Sequence, residues 1–407
     1  MKNNLQTISP STAASRIALL DIFRGFALLG IFVVNIRFMS SSVLHPEAFA
    51  WMKDGMWNRI MEWILTNFFN GKFYPIFSFL FGVGFGMQIN KMEEKGTFSN
   101  FFFLRRYFFL LLFGVLHAVL IWGGDVLVLY ALAGFLVLAL RKVHVRYILI
   151  LTAVILIFPF YGHIYNFINN YLSQTGHKPL SYLHDYDYAA IVNINKNGSF
   201  LENLRFRLYE YTVYYRNVEY FPALLTMIFS GYVAGRYKFY NKIPETLKKL
   251  TPVAIIGFIG VVLFRYLHSV SGDLIHENFK IYVIFSKLLI ISNITQSFLY
   301  LYIISFLYEK GIFINFLQQM SFAGRTSLTN YIMQSVAGLI LFNGMFLGWY
   351  GMLALAWLGV LSVVIYILLI IGSKFWLSKF RYGPLEFIWR ELTYKTSLKF
   401  IKNGKNS

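Results

Sequence analysis

His117 and Asp125 flank Trp122 where one apolar run ends and the next begins. A carboxylate beside an imidazole fixes its tautomer and polarises it, so this pattern points to a general base if the chain turns back between the two. A packing histidine held by one hydrogen bond is the plainer alternative. Asp21, Arg24 and Asn35 form a second set. At 100° per residue they share a helix stripe about 60° wide, and it runs about 21 Å at 1.5 Å per residue. Asp21 and Arg24 are spaced to pair, and the pair either fixes helix packing or lines a functional cavity. A third set, Gly324, Arg325, Thr326 and Ser327, opens a further apolar run. Free backbone N–H groups at a helix start beside an arginine make an anion seat. Ser327, Asn330 and Gln334 follow on one face, where hydrogen bonding between helices is an equally good account.

The elements that carry these groups are apolar. Of 407 residues, 57% are hydrophobic and 14% charged, with 43 Phe and 28 Tyr, against roughly a quarter charged in a soluble domain. A spanning helix needs roughly 20 apolar residues. Such runs lie near 17–39, 73–90, 104–122, 125–140, 147–163, 220–236, 252–267, 281–305, 321–342 and 352–372. The expectation is an all-α, polytopic membrane bundle of about ten transmembrane helices. Each ionisable group inside a span costs roughly 2.5–3.5 kcal/mol and therefore needs a partner or a task.

The net charge of +19 comes from short basic clusters between runs, which read as topology signals and exclude a nucleic-acid partner. Lys91, Lys95, Arg105 and Arg106, then Arg141, Lys142 and Arg146, then Arg236, Lys238, Lys242, Lys248 and Lys249 fall on one side. The positive-inside rule puts that side, and both termini, in the cytoplasm. Residues 1–372 read as a single membrane domain, with the outer loop 164–219 either a cap on a site or a variable surface loop. Residues 373–407 read as a basic cytoplasmic tail with a surface helix starting near Pro384, its Arg381 and Arg390 meeting lipid headgroups or an anion. The segment 51–70, with Trp51, Trp57 and Trp63, suits an interfacial helix, and Lys72 suits a snorkelling role. Gly82 with Gly86 and Gly231 with Gly235 are small-xxx-small pairs for close helix packing. With no cysteine, disulfides, thiolate nucleophiles and Cys-ligated metals are excluded, and no metal site is expected.

Several segments together resemble the YeiB-like family of bacterial membrane proteins, domain of unknown function 418. They are Leu-Asp21-Ile-Phe-Arg24-Gly25 with Asn35 beyond it, Gly71 to Gly82, Leu-His117 to Asp125, Ala-Gly324-Arg-Thr-Ser-Leu-Thr-Asn330-Tyr-Ile-Met-Gln334, and the Arg-Tyr-Gly-Pro tail. That family is similar to the transmembrane acyltransferases, among them lysosomal heparan glucosaminide N-acetyltransferase and bacterial glycan O-acyltransferases, through the Asp-x-x-Arg-Gly first helix ending in Asn. The resemblance implies transfer of an acyl group from cytoplasmic acyl-CoA to an extracytoplasmic glycan, lipid or small-molecule acceptor. His45 occupies the loop where the lysosomal relatives keep a functional histidine.

The expected catalytic set is thus His117 with Asp125 as base, Asn330 or Gln334 as oxyanion donor, and His45. The expected seat for the donor, acyl-CoA such as acetyl-CoA, is Asp21, Arg24, Asn35, Arg105, Arg106 and Arg325. The other readings are a transporter or ion-coupled permease, in which Asp21, Arg24 and His117 relay protons or bind an anion, and a non-catalytic membrane partner. Oligomeric state stays open, a homodimer included.

Overall fold

The computed structural model describes residues 17–41, 51–157, 168, 170–176, 186–216, 220–277, 279–394 and 398–402. Every regular element among them is helical, apart from one isolated bridge between Phe380 and Ile401. In chain order these are α1 (Ala18–Ser40), α2 (Met56–Ile64), α3 (Phe73–Glu94), α4 (Asn100–Leu120), α5 (Leu127–Ala139), α6 (Val145–Ile157), α7 (Tyr188–Asn197) and α8 (Phe200–Arg216). Then come α9 (Tyr220–Arg236), α10 (Ile243–Glu277), α11 (Phe279–Glu309), α12 (Ile314–Arg325), α13 (Ser327–Phe342), α14 (Leu355–Lys379) and α15 (Pro384–Tyr394).

Five of these stretches are long and apolar enough to cross a bilayer: α1, α4, the part of α10 from Ile243 to Leu263, the part of α11 from Lys287 to Glu309, and α14. Helices α5, α6 and α13 are apolar but shorter. Large hydrophobic side chains such as Phe108, Ile256 and Leu368 point outward from them, as in a protein solvated by lipid. The expected ninth run, 321–342, is not one helix. It breaks at Thr326, whose hydroxyl bonds back to the Phe322 carbonyl and across to Ser373, drawing the backbone out of helical geometry between α12 and α13.

Glycines set the closest contacts. The two small-xxx-small pairs mate with one another: Gly82 and Gly86 of α3 abut the backbone of α9, and Gly231 and Gly235 of α9 abut that of α3. Gly25 of α1 lies against the Met320 carbonyl, and Gly324 against that of Asp21, so α12 runs antiparallel to the first half of α1. The segment before α3 is α2 followed by a π turn, Leu65–Phe69. The carbonyls of Thr66, Asn67 and Phe68 accept hydrogen bonds from Lys72 Nζ, Gln296 and Tyr300. Lys72 therefore does not snorkel; it is fully buried, because irregular backbone inside the bundle needs donors.

Candidate functional site

After α4 the chain folds inward through residues 121–126, bringing the Asp125 carboxylate against Gly114 and His117. His117 Nδ1 lies 2.9 Å from Asp125 Oδ1, and both side chains are 0% exposed. The second oxygen of Asp125 accepts the Val128 N–H at 2.8 Å and so caps the start of α5. With Nδ1–H donated to the carboxylate, the lone pair sits on Nε2. Nε2 is buried and has no hydrogen-bond partner among the described residues. Tyr331 of α13 completes the group: its ring centre is 5.2 Å from the imidazole, and its oxygen accepts the Val126 N–H at 3.2 Å, leaving the hydroxyl hydrogen for another acceptor. The expected dyad is thus present. Tyr331 was not singled out from sequence, since nothing in the order of residues shows that α13 packs beside the 121–126 turn.

The expected oxyanion donors are engaged elsewhere. Asn330 Nδ2 bonds the Ala323 carbonyl, the Thr326 hydroxyl and the Ser373 hydroxyl at 3.2, 3.0 and 2.9 Å. At the end of α12 the Ala323 carbonyl accepts the Thr326 N–H at 3.2 Å in a tightened last turn, and Asn330 supplies it with a further donor. Gln334 Nε2 donates to the Leu28 carbonyl at 3.2 Å, tying α13 to α1. The anion seat at the start of α13 is also taken. Glu386 of α15 accepts from Leu328 N, Thr329 N and the Thr329 hydroxyl at 2.7, 3.0 and 2.7 Å. Burial holds the Glu386 carboxyl above the usual range, while the Thr329 and Leu328 bonds pull it back.

Arg325, at the end of α12, lies beside Lys402. Arg24 and Arg106 do approach, and Arg390 of α15 joins them. Arg24 pairs with Asp21 at 2.8 Å, and Arg106 stacks on Trp389, 3.9 Å from the ring centre. The Trp389 indole donates to the Arg106 carbonyl, so α15 begins at Pro384 as expected and docks on the bundle through this face. Arg105 is half-buried, its Nε without a partner among the described residues. Asn35 is half-buried on α1, and His45 lies outside the described residues.

At the opposite end α7 and α8, from the expected outer loop, fold over the ends of α1, α4 and α13. Arg207 donates to the Leu120 carbonyl at 2.6 Å, and Asn343 donates to Asn203 at 2.7 Å. Gly344 N–H donates to the Asn195 carbonyl at 2.7 Å. Glu210 is buried beside Arg207; burial pushes its carboxyl up to about 7, with Arg207 pulling it back. The Arg207–Glu210 spacing was visible in the sequence, but nothing local marked it as covered.

The comparisons with known proteins agree with the motifs. A family model described as a protein of unknown function, DUF418, matches residues 234–396, from the end of α9 through α15. YeiB of Escherichia coli is 30% identical over 121 residues, 29% of each chain. DUF418 is thus the family that this chain resembles. The chain is also similar along nearly its whole length to the uncharacterized protein YxaH of Bacillus subtilis, 29% identical over 98% of this chain and 100% of that one. An uncharacterized 39.9 kDa protein from the amylase 3' region of Bacillus acidopullulyticus is 27% identical over 97% and 98%. No solved structure matches. The family match and the YeiB relative bear out the YeiB-like resemblance, and the apolar helices make this a membrane protein.

Proposed function

We propose that this protein is a multi-pass enzyme of the bacterial cell membrane that moves an acyl group from cytoplasmic acyl-CoA to a hydroxyl- or amine-bearing acceptor. The observation that carries the reading is the buried imidazole with Nδ1 on a carboxylate and Nε2 unpartnered. His117 Nε2 takes the acceptor proton as the acceptor oxygen or nitrogen attacks the thioester carbonyl. The C–S bond then breaks, and CoA leaves as the thiol with the proton returned from His117. Tyr331, whose O–H hydrogen is uncommitted, donates to the developing oxyanion in place of Asn330 or Gln334. Arg24, Arg105 and Arg106 hold the CoA phosphates, guanidinium being suited to bidentate phosphate contact.

The test is acceptor-dependent CoA release by the purified protein in lipid, with acetyl-CoA and candidate glycan, lipid and small-molecule acceptors. Wild type is expected to release CoA, His117→Ala to lose about a hundredfold to ten-thousandfold of the rate, and Arg24→Ala to raise KM for the donor. Equal release by wild type and His117→Ala rules the assignment out. The break at Thr326 favours a second reading, since interrupted helices often frame transporter sites. Solute flux without thioester loss in the same vesicles would establish it.

A further inference from the structure

Beneath α8 lies a cavity of about 40 Å³, bounded by Trp122, Arg207, Glu210, Ser335 and Asn343 among others. At 10–15 Å³ per water it has room for about three to four heavy atoms, the size of formate or acetate. Arg207 Nη1 is committed to the Leu120 carbonyl, but Nη2 is buried with no acceptor among the described residues. Trp122 Nε1 is buried in the same condition. Glu210, 7% exposed, makes no hydrogen bond among the described residues and lies beside Arg207. Two orphaned donors and one buried carboxyl around a small space call for an occupant with two acceptor atoms that can also share a proton. Phosphate is too large and too charged for it, and chloride cannot share the proton.

We infer that this cavity binds a small monocarboxylate, its oxygens accepting from Arg207 Nη2 and Trp122 Nε1 while one proton is shared with Glu210. The site is separate from the acyl-transfer reading, requiring no thioester and no role for His117. The other titratable groups facing Glu210 are Arg207 on its own helix and Tyr350 from the turn after α13. Asp125, the acid of the 121–126 turn, is committed to His117 and the Val128 N–H. The lining residues from α1, α7 and α13 carry no titratable group. Below about 7 Glu210 is protonated and a carboxylate enters without repulsion; above it, one proton must be taken up per anion bound.

The experiment is a saturation-transfer NMR titration of formate and acetate against the full-length protein in lipid nanodiscs, with empty nanodiscs and glycerol as controls, from pH 5.5 to 8.5. Affinity is expected to fall about tenfold per pH unit above about 7, one proton being linked. Glu210→Gln should bind acetate with no such slope, and Trp122→Phe should bind it several-fold more weakly at every pH. Absence of saturable acetate transfer at pH 5.5, equal transfer to glycerol, or an unchanged slope in Glu210→Gln would overturn the assignment. Should Glu210→Gln fail to fold, unaltered affinity in Trp122→Phe does the same.

Discussion

The tautomer of His117 is decided by which atoms of Asp125 face it. One oxygen meets Nδ1 and the other the Val128 N–H. In Asp125→Asn the amide oxygen stays with the Val128 N–H, and the amide NH2 is turned towards Nδ1, which must then accept. The proton moves to Nε2 and the base is lost with little change of shape. Imidazole 15N shifts are expected to exchange between the two nitrogens in this variant, and CoA release to fall as far as in His117→Ala. Tyr331→Phe acts differently. It leaves the Val126 N–H without its acceptor, at a cost of about 1–3 kcal/mol, so a lower Tm should accompany any loss of rate.

Between elements, the docking of α15 is the clearest case of one segment completing another. The Glu386 carboxylate supplies the acceptor that the first N–H groups of α13 lack. Glu386→Ala is expected to cost about 0.5–2 kcal/mol, as for loss of a helix cap, and to speed proteolysis after Lys379. Glu386→Gln keeps an acceptor oxygen and should be milder; equal effects would mean the charge, not the bond, matters. The α3–α9 contact is stricter because it is backbone against backbone. Gly231→Leu puts a side chain into the Phe79 carbonyl and should destabilise by about 1–3 kcal/mol or more, read as a fall in Tm.

Across the whole molecule, the two groups of ionisable residues stand at different places in the bundle and each has its own partners. Asp21, Arg24, Arg106 and Arg390 gather at the end where α4 begins, with Arg236 paired to Glu93 at 2.6 Å and Lys238 to Glu94 at 2.9 Å nearby in sequence to α3. His117, Asp125 and Tyr331 lie inside, and α8 closes the far end. The basic end is proposed to face the cytoplasm. A reporter fused after Ser407 is then expected to be active only as a cytoplasmic protein, and a periplasmic signal would reverse the orientation and with it the side from which the thioester enters.

Local pattern alone determined the helical class, the apolar runs, the small-xxx-small pairs, the start of α15 at Pro384 and the pairing of His117 with Asp125. Each depends on spacing along one helix or across one turn, and 3.6-residue periodicity and short chain reach carry that information. Other features depended on which helices lie side by side. The break at Thr326 answers to Ser373, forty-seven residues away; the anion seat is filled by Glu386; Asn330 is drawn to a carbonyl beside the break; and Arg207 and Glu210 are buried only because α8 folds over the bundle. A polar group inside an apolar bundle must find a partner, but the sequence shows only the need. Tertiary packing chooses which group meets it.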